Sequence, residues 1–284
     1  MDLSILTDAA ARAGLLTLTA LAVALPYRAG LWNIGGEGQY HVGAVAGTGA
    51  ALAVSAPPFL LLLIAFGASM LAAAGYAGIA AWLKLRFRAN EILVTVMLSF
   101  VGVILLKWAV HGPLRDPEGF GFPVSPYLPE AVWLPSQNGL HVGILVALGL
   151  AIGLGALIRY TPLLMTLRAV RQGRTAAAYH ETSFSGVVLG TFLGAGALAG
   201  LAGMTQIAAV QHRLYDSISA DFGYLGIPIA LLAQGRPWWI PPTALGFALL
   251  MIGASNAGLP NGLAGAIVAA AVLLKLAFDR GPRR

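Results

Sequence analysis

Cysteine is absent from the 284 residues and charge is scarce, with 17 lysines and arginines and 11 aspartates and glutamates making up 10 % of the chain. Without cysteine there is no disulfide, no thiolate metal site and no thiol redox chemistry. Against 58 % hydrophobic residues and a mean hydropathy of +0.80, so few polar residues cannot coat a water-soluble globule of this size. The chain therefore belongs in a membrane. A net charge of +6 raises the question of nucleic acid, but the lysine and arginine bias of cytoplasmic loops accounts for it and no nucleic-acid partner is expected.

Catalytic signatures are missing as well. There is no G-x-x-x-x-G-K-[ST] loop, so the chain has no Walker-type means of binding ATP and must take energy from a partner or a gradient. His41, His111, His141, His180 and His212 are scattered without an H-E-x-x-H pair, which argues against a zinc hydrolase. No G-x-S-x-G elbow occurs, leaving an intramembrane hydrolase without a nominated nucleophile. A transport subunit, and not an enzyme, is the expectation. The N-terminus lacks the basic n-region and cleavage site of a removable signal, so the first apolar segment reads as a retained span.

What is present is a series of apolar runs punctuated by Pro, Gly and charge, about nine candidate membrane segments. They are Ala9–Pro26, Gly38–Val54, Pro58–Trp82, Ile92–Val110, Leu140–Ile158, Gly186–Val210, Gly223–Ala233, Pro241–Leu259 and Leu263–Phe278. The seventh is too short to span and reads as re-entrant or broken. The fold class is all-α, a polytopic helical bundle forming a single domain over residues 1–284, with no room for a separate soluble domain. Alternating the segments gathers thirteen of the 17 basic residues on one side and leaves Arg12, Lys107, Arg115 and Arg213 opposite. By the positive-inside rule the arginine-rich side faces the cytoplasm, with the N-terminus outside and the C-terminus inside.

Four regions stand out in this frame. The run Leu31-Trp32-Asn33-Ile34-Gly35-Gly36-Glu37-Gly38-Gln39 sets a carboxylate, an amide pair and glycines between spans, a combination that suits a transport path or a solvated surface turn equally. The outward loop 112–139 carries Pro113, Pro117, Pro123, Pro126, Pro129 and Pro135, whose fixed φ angles lower the entropy of ordering it as a cap on the bundle. Gly186, Gly190 and Gly194 recur every four residues and Gly196, Gly200 and Gly203 follow, marking a helix packed closely at the centre of the bundle. The cytoplasmic loop 159–185 is a strong helix former too short to span, with a break at Gly173. Its apolar Ala169, Val170, Ala176 and Ala177 beside arginines suit docking in a groove of a soluble partner or lying on anionic lipid.

Four blocks resemble the membrane-spanning permease subunit of ATP-binding cassette (ABC) importers of the simple-sugar and nucleoside group, related more distantly to ribose and branched-chain amino acid permeases. They are Tyr27 through Gln39, Asn90-Glu91-Ile92-Leu93-Val94-Thr95-Val96-Met97-Leu98-Ser99, His111 through Phe120, and Leu167-Arg168-Ala169-Val170 followed by Ala176-Ala177-Ala178-Tyr179. A looser fifth is Gly196 through Gly203. The second and third blocks together look most like the nucleoside branch. The family usually carries an additional N-terminal span, so the expectation is a truncated start or a bundle with one helix fewer. Arg171 and Glu181 stand where glycines are common in the family, and Ser99 where an amide side chain is frequent.

The resemblance implies a type II-like importer permease of a bacterial or archaeal cytoplasmic membrane, translocating a nucleoside or simple sugar by alternating access. It implies an ATPase subunit that holds ATP and Mg, a second permease forming a heterodimer, and an extracytoplasmic substrate-binding lipoprotein, with no cofactor on this chain. Asn33, Glu37, Gln39, Asn90, Thr95, Ser99 and Gln206 are the candidate polar contributors to the substrate pathway. Leu167, Arg168, Ala169, Val170, Arg171, Ala176, Ala177 and Tyr179 correspond to the coupling helix that meets the ATPase. The alternatives are a ribose or branched-chain amino acid ABC permease, or a gradient-driven carrier of a small polar solute, which requires a titrating carboxylate deep in the membrane, whereas Glu37 and Glu91 fall near predicted cytoplasmic ends.

Overall fold

A computed structural model describes residues 3–137, 139–258, 265–267 and 270. Its α-helices, in chain order, are α1 (Leu3–Arg28), α2 (Gly36–Ala53), α3 (Pro58–Phe87), α4 (Glu91–His111), α5 (Val142–Tyr160), α6 (Leu163–Arg171), α7 (Arg174–Tyr179), α8 (Phe184–Gln206), α9 (Phe222–Leu232) and α10 (Ile240–Asn256). Local chemistry sets several of the ends. Pro58 opens α3 where a missing N–H costs nothing, and Arg88 closes it in the left-handed region at φ 55°. The Asn90 carboxamide caps α4 and the Ser183 hydroxyl caps α8 by accepting from Gly186 N–H at 3.1 Å.

Six helical segments are long and apolar enough to cross a bilayer: Ile5–Arg28, Pro58–Phe87, Glu91–His111, Val142–Tyr160, Phe184–Gln211 and Pro237–Asn256. The Gly38–Val54 candidate lies in α2, an 18-residue, glycine-rich and largely buried helix. The Gly223–Ala233 candidate lies in α9, whose 11 residues rise only about 16 Å. Leu263–Phe278 lies largely outside the described residues.

The helix α8 occupies the middle, against α1, α2 and α3. There is no hydrophobic drive between apolar helices in lipid, so close approach of backbones has to hold them. A Cβ at Gly196 would overlap the Ala73 carbonyl oxygen of α3, and one at Gly203 the Tyr40 carbonyl oxygen of α2. The Ser69 hydroxyl donates to the Gly200 carbonyl at 2.8 Å across the same seam. The earlier glycines of the series do not share this role. Gly190 has open space around its Cβ position, Gly186 meets only its own capping Ser183, and Gly194 meets the side chain of Leu25. At 3.6 residues per turn, Gly196 lies about 200° round the helix from Gly194, so the spacing marks two stripes and only the second meets α2 and α3.

The bundle has two chemically distinct ends. At one, Arg168, Arg171 and Arg236 surround Arg28, and Lys84 pairs with Glu91 at 2.7 Å. Across the other lies the proline-rich segment 112–139, tied to the chain beyond α8 by Ser125 N–H to Leu214 O (2.9 Å), Leu128 N–H to His212 O (2.8 Å) and Leu134 N–H to Ala208 O (2.9 Å). Leu128 and Val132 are buried in the core beneath it, and the Trp133 ring stacks on His212 with centroids 4.1 Å apart.

Candidate functional site

The polar residues between α1 and α2 form one connected group. Beyond α1 the chain turns at Gly30, φ +76°, and Asn33 Oδ1 accepts from Gly35 N–H at 3.1 Å to start α2. Asn33 and Gln39 then exchange amide hydrogen bonds, Nδ2 to Oε1 at 3.0 Å and Nε2 to Oδ1 at 2.9 Å. Both are buried, at 1 % and 2 % exposure, where an unmet amide costs far more than at a surface.

Thr95 and Ser99, four apart on α4, hold the backbone of Ile34 from both sides. The Thr95 hydroxyl accepts from Ile34 N–H at 3.1 Å and donates to Glu91 O at 2.7 Å, while the Ser99 hydroxyl donates to Ile34 O at 3.2 Å. Such contact needs helices almost touching, and a Cβ at Gly38 would meet the Leu98 carbonyl oxygen and Ser99 Cα, both at 2.7 Å. Glu37 closes the group from a third direction, its Oε2 accepting from Gly223 N–H of α9 at 2.7 Å. His41 Nδ1 lies 2.6 Å from the Glu37 carbonyl oxygen one turn away.

Five of the seven candidate pathway residues, Asn33, Glu37, Gln39, Thr95 and Ser99, are thus brought together, with their hydrogen-bonding capacity turned toward one another and toward backbone. They fix where α2, α4 and α9 meet. Asn90 is exposed, and its Oδ1 accepts from Ile92 and Leu93 N–H, so it works as a helix cap. Gln206 lies apart at the end of α8, buried to 7 % exposure, with Oε1 unpartnered. Two residues that the motif reading passed over, Gly223 and Gly226, let α9 approach so closely. A Cβ at Gly223 would overlap Glu37 N, and one at Gly226 would meet the Thr19 carbonyl carbon at 2.7 Å. The G-x-x-G spacing within a short apolar run is the signal that could have found them.

The element expected to face a partner is the pair α6 and α7, with Gly173 between them at φ +111°. Its apolar side points home. Leu167 (0 % exposed), Ala169 (4 %), Val170 (3 %) and Ala177 (0 %) are buried, and Leu167, Val170 and Ala177 pack with Ala29, Ile158 and Phe192. This corrects the expectation that Ala169, Val170 and Ala177 dock in a partner's groove, because an amphipathic helix beside a bundle buries its apolar face on that bundle first. The half-buried Ala176 adds little surface, and the outward face includes Arg168, Arg171, Arg174, Met165 and Tyr179. Arg171 also connects this element to the polar group, its guanidinium lying 5.8 Å from the Tyr27 ring and its Cγ 2.9 Å from a Cβ position at Gly30. Those two residues lead directly into the Asn33 turn.

The sequence pattern of the family described as branched-chain amino acid transport system / permease component matches residues 5–277. Among curated proteins, the glucose ABC transporter permease protein TsgB13 of Haloferax volcanii is 36 % identical over 276 residues, covering 93 % of this chain and 72 % of that protein. The guanosine ABC transporter permease protein NupP of Bacillus subtilis is 28 % identical, covering 92 % of this chain and 76 % of its own. The nucleoside ABC transporter permease protein NupB of Lactococcus lactis is 27 % identical, covering 91 % and 75 %. A polytopic helical bundle, a family match over residues 5–277 and relatives named as ABC permeases that align with more than nine-tenths of this chain lead to one conclusion: the chain belongs to the branched-chain amino acid transport system / permease component family and is the membrane-spanning permease subunit of an ATP-binding cassette importer.

Proposed function

We propose that this permease imports a neutral sugar or nucleoside across the cytoplasmic membrane, pairing with a second permease and receiving solute from an extracytoplasmic binding lipoprotein. ATP and Mg are held and ATP is hydrolysed on a separate ATPase subunit. The arginine-rich end faces the cytoplasm, and α6 and α7 meet the ATPase there. The observation that carries this reading is the junction of Arg171 with Tyr27 and Gly30. The basic element is anchored on the bundle through buried Leu167, Val170 and Ala177 and also touches the turn whose next residues are clamped by Thr95 and Ser99. A push on its exposed face would therefore shift α2 against α4, a rigid-body change of the kind alternating access needs.

Support for the substrate class comes from relatives named for glucose, guanosine and nucleosides. The engagement of Glu37 by Gly223 N–H supports a positioning role for that carboxylate over the titrating role a gradient-driven carrier needs. Reconstitution into proteoliposomes with the cognate ATPase, second permease and binding protein tests the reading. Uptake of tritiated guanosine or D-glucose is expected only with ATP inside. Uptake that persists without the ATPase and collapses with the proton gradient overturns it.

A further inference from the structure

At the bundle end opposite the clustered arginines, the start of α1, residues of the 136–141 segment, the end of α8 and the loop 212–221 line a half-open cavity of 530 Å³. Such a volume lies inside the range of about 300–1,000 Å³ typical of small-molecule sites. None of Asn33, Glu37, Gln39, Thr95 and Ser99 lines it, so it is separate from the Asn33 group.

Its floor holds polar groups that the protein leaves without partners. Gln206, 7 % exposed, has an unpartnered Oε1, and His141, 4 % exposed, has both ring nitrogens unpartnered. Gln211 donates through Nε2 to Ile218 O at 3.3 Å, and its Oε1 is also unpartnered. Buried polar atoms without partners are costly, and a set of them around one cavity calls for water or a polar ligand to complete it. The backbone there is also unusual: α8 runs on into a π-helical turn, Ile207–Gln211, a distortion found frequently at functional sites. It begins after Gln206 and ends on Gln211.

The chemistry of the lining selects the ligand. Asp8 and Arg12, one turn apart on α1, stand exposed at the mouth and cancel in charge. Burial pushes the His141 imidazole down from its ordinary pKa, toward the neutral ring with one donor and one acceptor nitrogen. Two amide oxygens accept. Hydroxyl groups, each donor and acceptor at once, match this set, whereas an ionised ligand finds no net countercharge. Phe222 adds an aromatic surface beside them.

We propose that this cavity within a single permease binds a neutral polyhydroxylated solute, a sugar or the ribose of a nucleoside, through Gln206, Gln211 and His141. It is a loading site for the solute class proposed above and rests on that reading. Binding is measured on the assembled importer in nanodiscs, without nucleotide or binding protein, using tritiated D-glucose and tritiated guanosine. Wild type is expected to bind one probe saturably. Gln206→Leu, which keeps the size and removes the acceptor, is expected to weaken it about ten-fold. Ala220→Trp, placed at an exposed lining position where folding is not at risk, is expected to abolish it by filling the mouth. Should Gln206→Leu fail to assemble, Ala220→Trp decides. Unchanged affinity in Ala220→Trp overturns the site, as does absence of saturable wild-type binding while ATP-driven uptake of either probe proceeds. Loss of ATP dependence in wild-type uptake, by contrast, overturns the proposed function and leaves the binding measurement to judge the cavity.

Discussion

The Glu37 carboxylate on α2 accepts the Gly223 backbone N–H of α9 at 2.7 Å, a contact between residues 186 apart in sequence. Gly223 sits in the first turn of α9, where N–H groups have no partner inside the helix. A carboxylate there meets an orphan donor and the positive end of the helix dipole together. Glu37→Ala leaves that donor buried and unmet, and we expect a loss of about 1–3 kcal/mol in a detergent unfolding assay. Glu37→Gln keeps an acceptor and is expected to lose less.

Thr95 serves Ile34 as acceptor and Glu91 as donor. Replacing it with valine preserves shape and removes both roles, so Thr95→Val is expected to destabilise by about 1–3 kcal/mol. Thr95→Ser retains the hydroxyl and should stay near wild type. If Thr95→Val melts with wild type, the clamp on Ile34 does not hold α2 against α4.

The two glycine stripes of α8 separate cleanly by substitution. Gly203→Ala would drive a methyl group into the Tyr40 carbonyl and is expected to cost about 1–3 kcal/mol through overpacking. Gly190→Ala has open space and should be neutral or slightly stabilising, since alanine is the better helix former by about 1 kcal/mol. Thermal melts of the two variants side by side provide the measurement.

On the basic element, position decides the phenotype. Tyr179 is 87 % exposed, so Tyr179→Ala together with Arg168→Glu is expected to leave the melting temperature within about 2 °C and to lower ATPase association and coupled transport. Ala177→Glu introduces a charge at a fully buried position and is expected to destabilise the subunit itself. Pull-down with the ATPase, read beside the melt, tells the two apart.

His212, stacked on Trp133, is held below its ordinary pKa by burial. Its folded form binds protons less readily than its unfolded form. Its contribution is therefore present above the unfolded value of about 6.5 and is lost as pH falls through the lower folded value. Limited proteolysis of the segment 112–139 should accelerate from pH 7.5 to pH 5, and His212→Phe should flatten that dependence. A cleavage rate independent of pH in wild type would refute it.

Composition and hydropathy alone determined that this is a polytopic helical membrane protein, because too few polar residues are present to face water and the apolar runs have bilayer length. The Arg28–Gln39 run and the Asn90–Ser99 segment were legible as important, and they do converge. Their role was not legible: whether a buried amide faces a solute or another amide depends on which helices bring their backbones together, and Asn33 met Gln39 while Gln206 Oε1 was left without a partner. The same holds for the basic element, where spacing marked an apolar face but only packing showed that face turned inward. Helical periodicity is a local property carried by every turn. Which of two glycine stripes touches a neighbour, which N–H reaches Glu37 and where a cavity remains are properties of long-range contact, and those were decided only when the helices were packed.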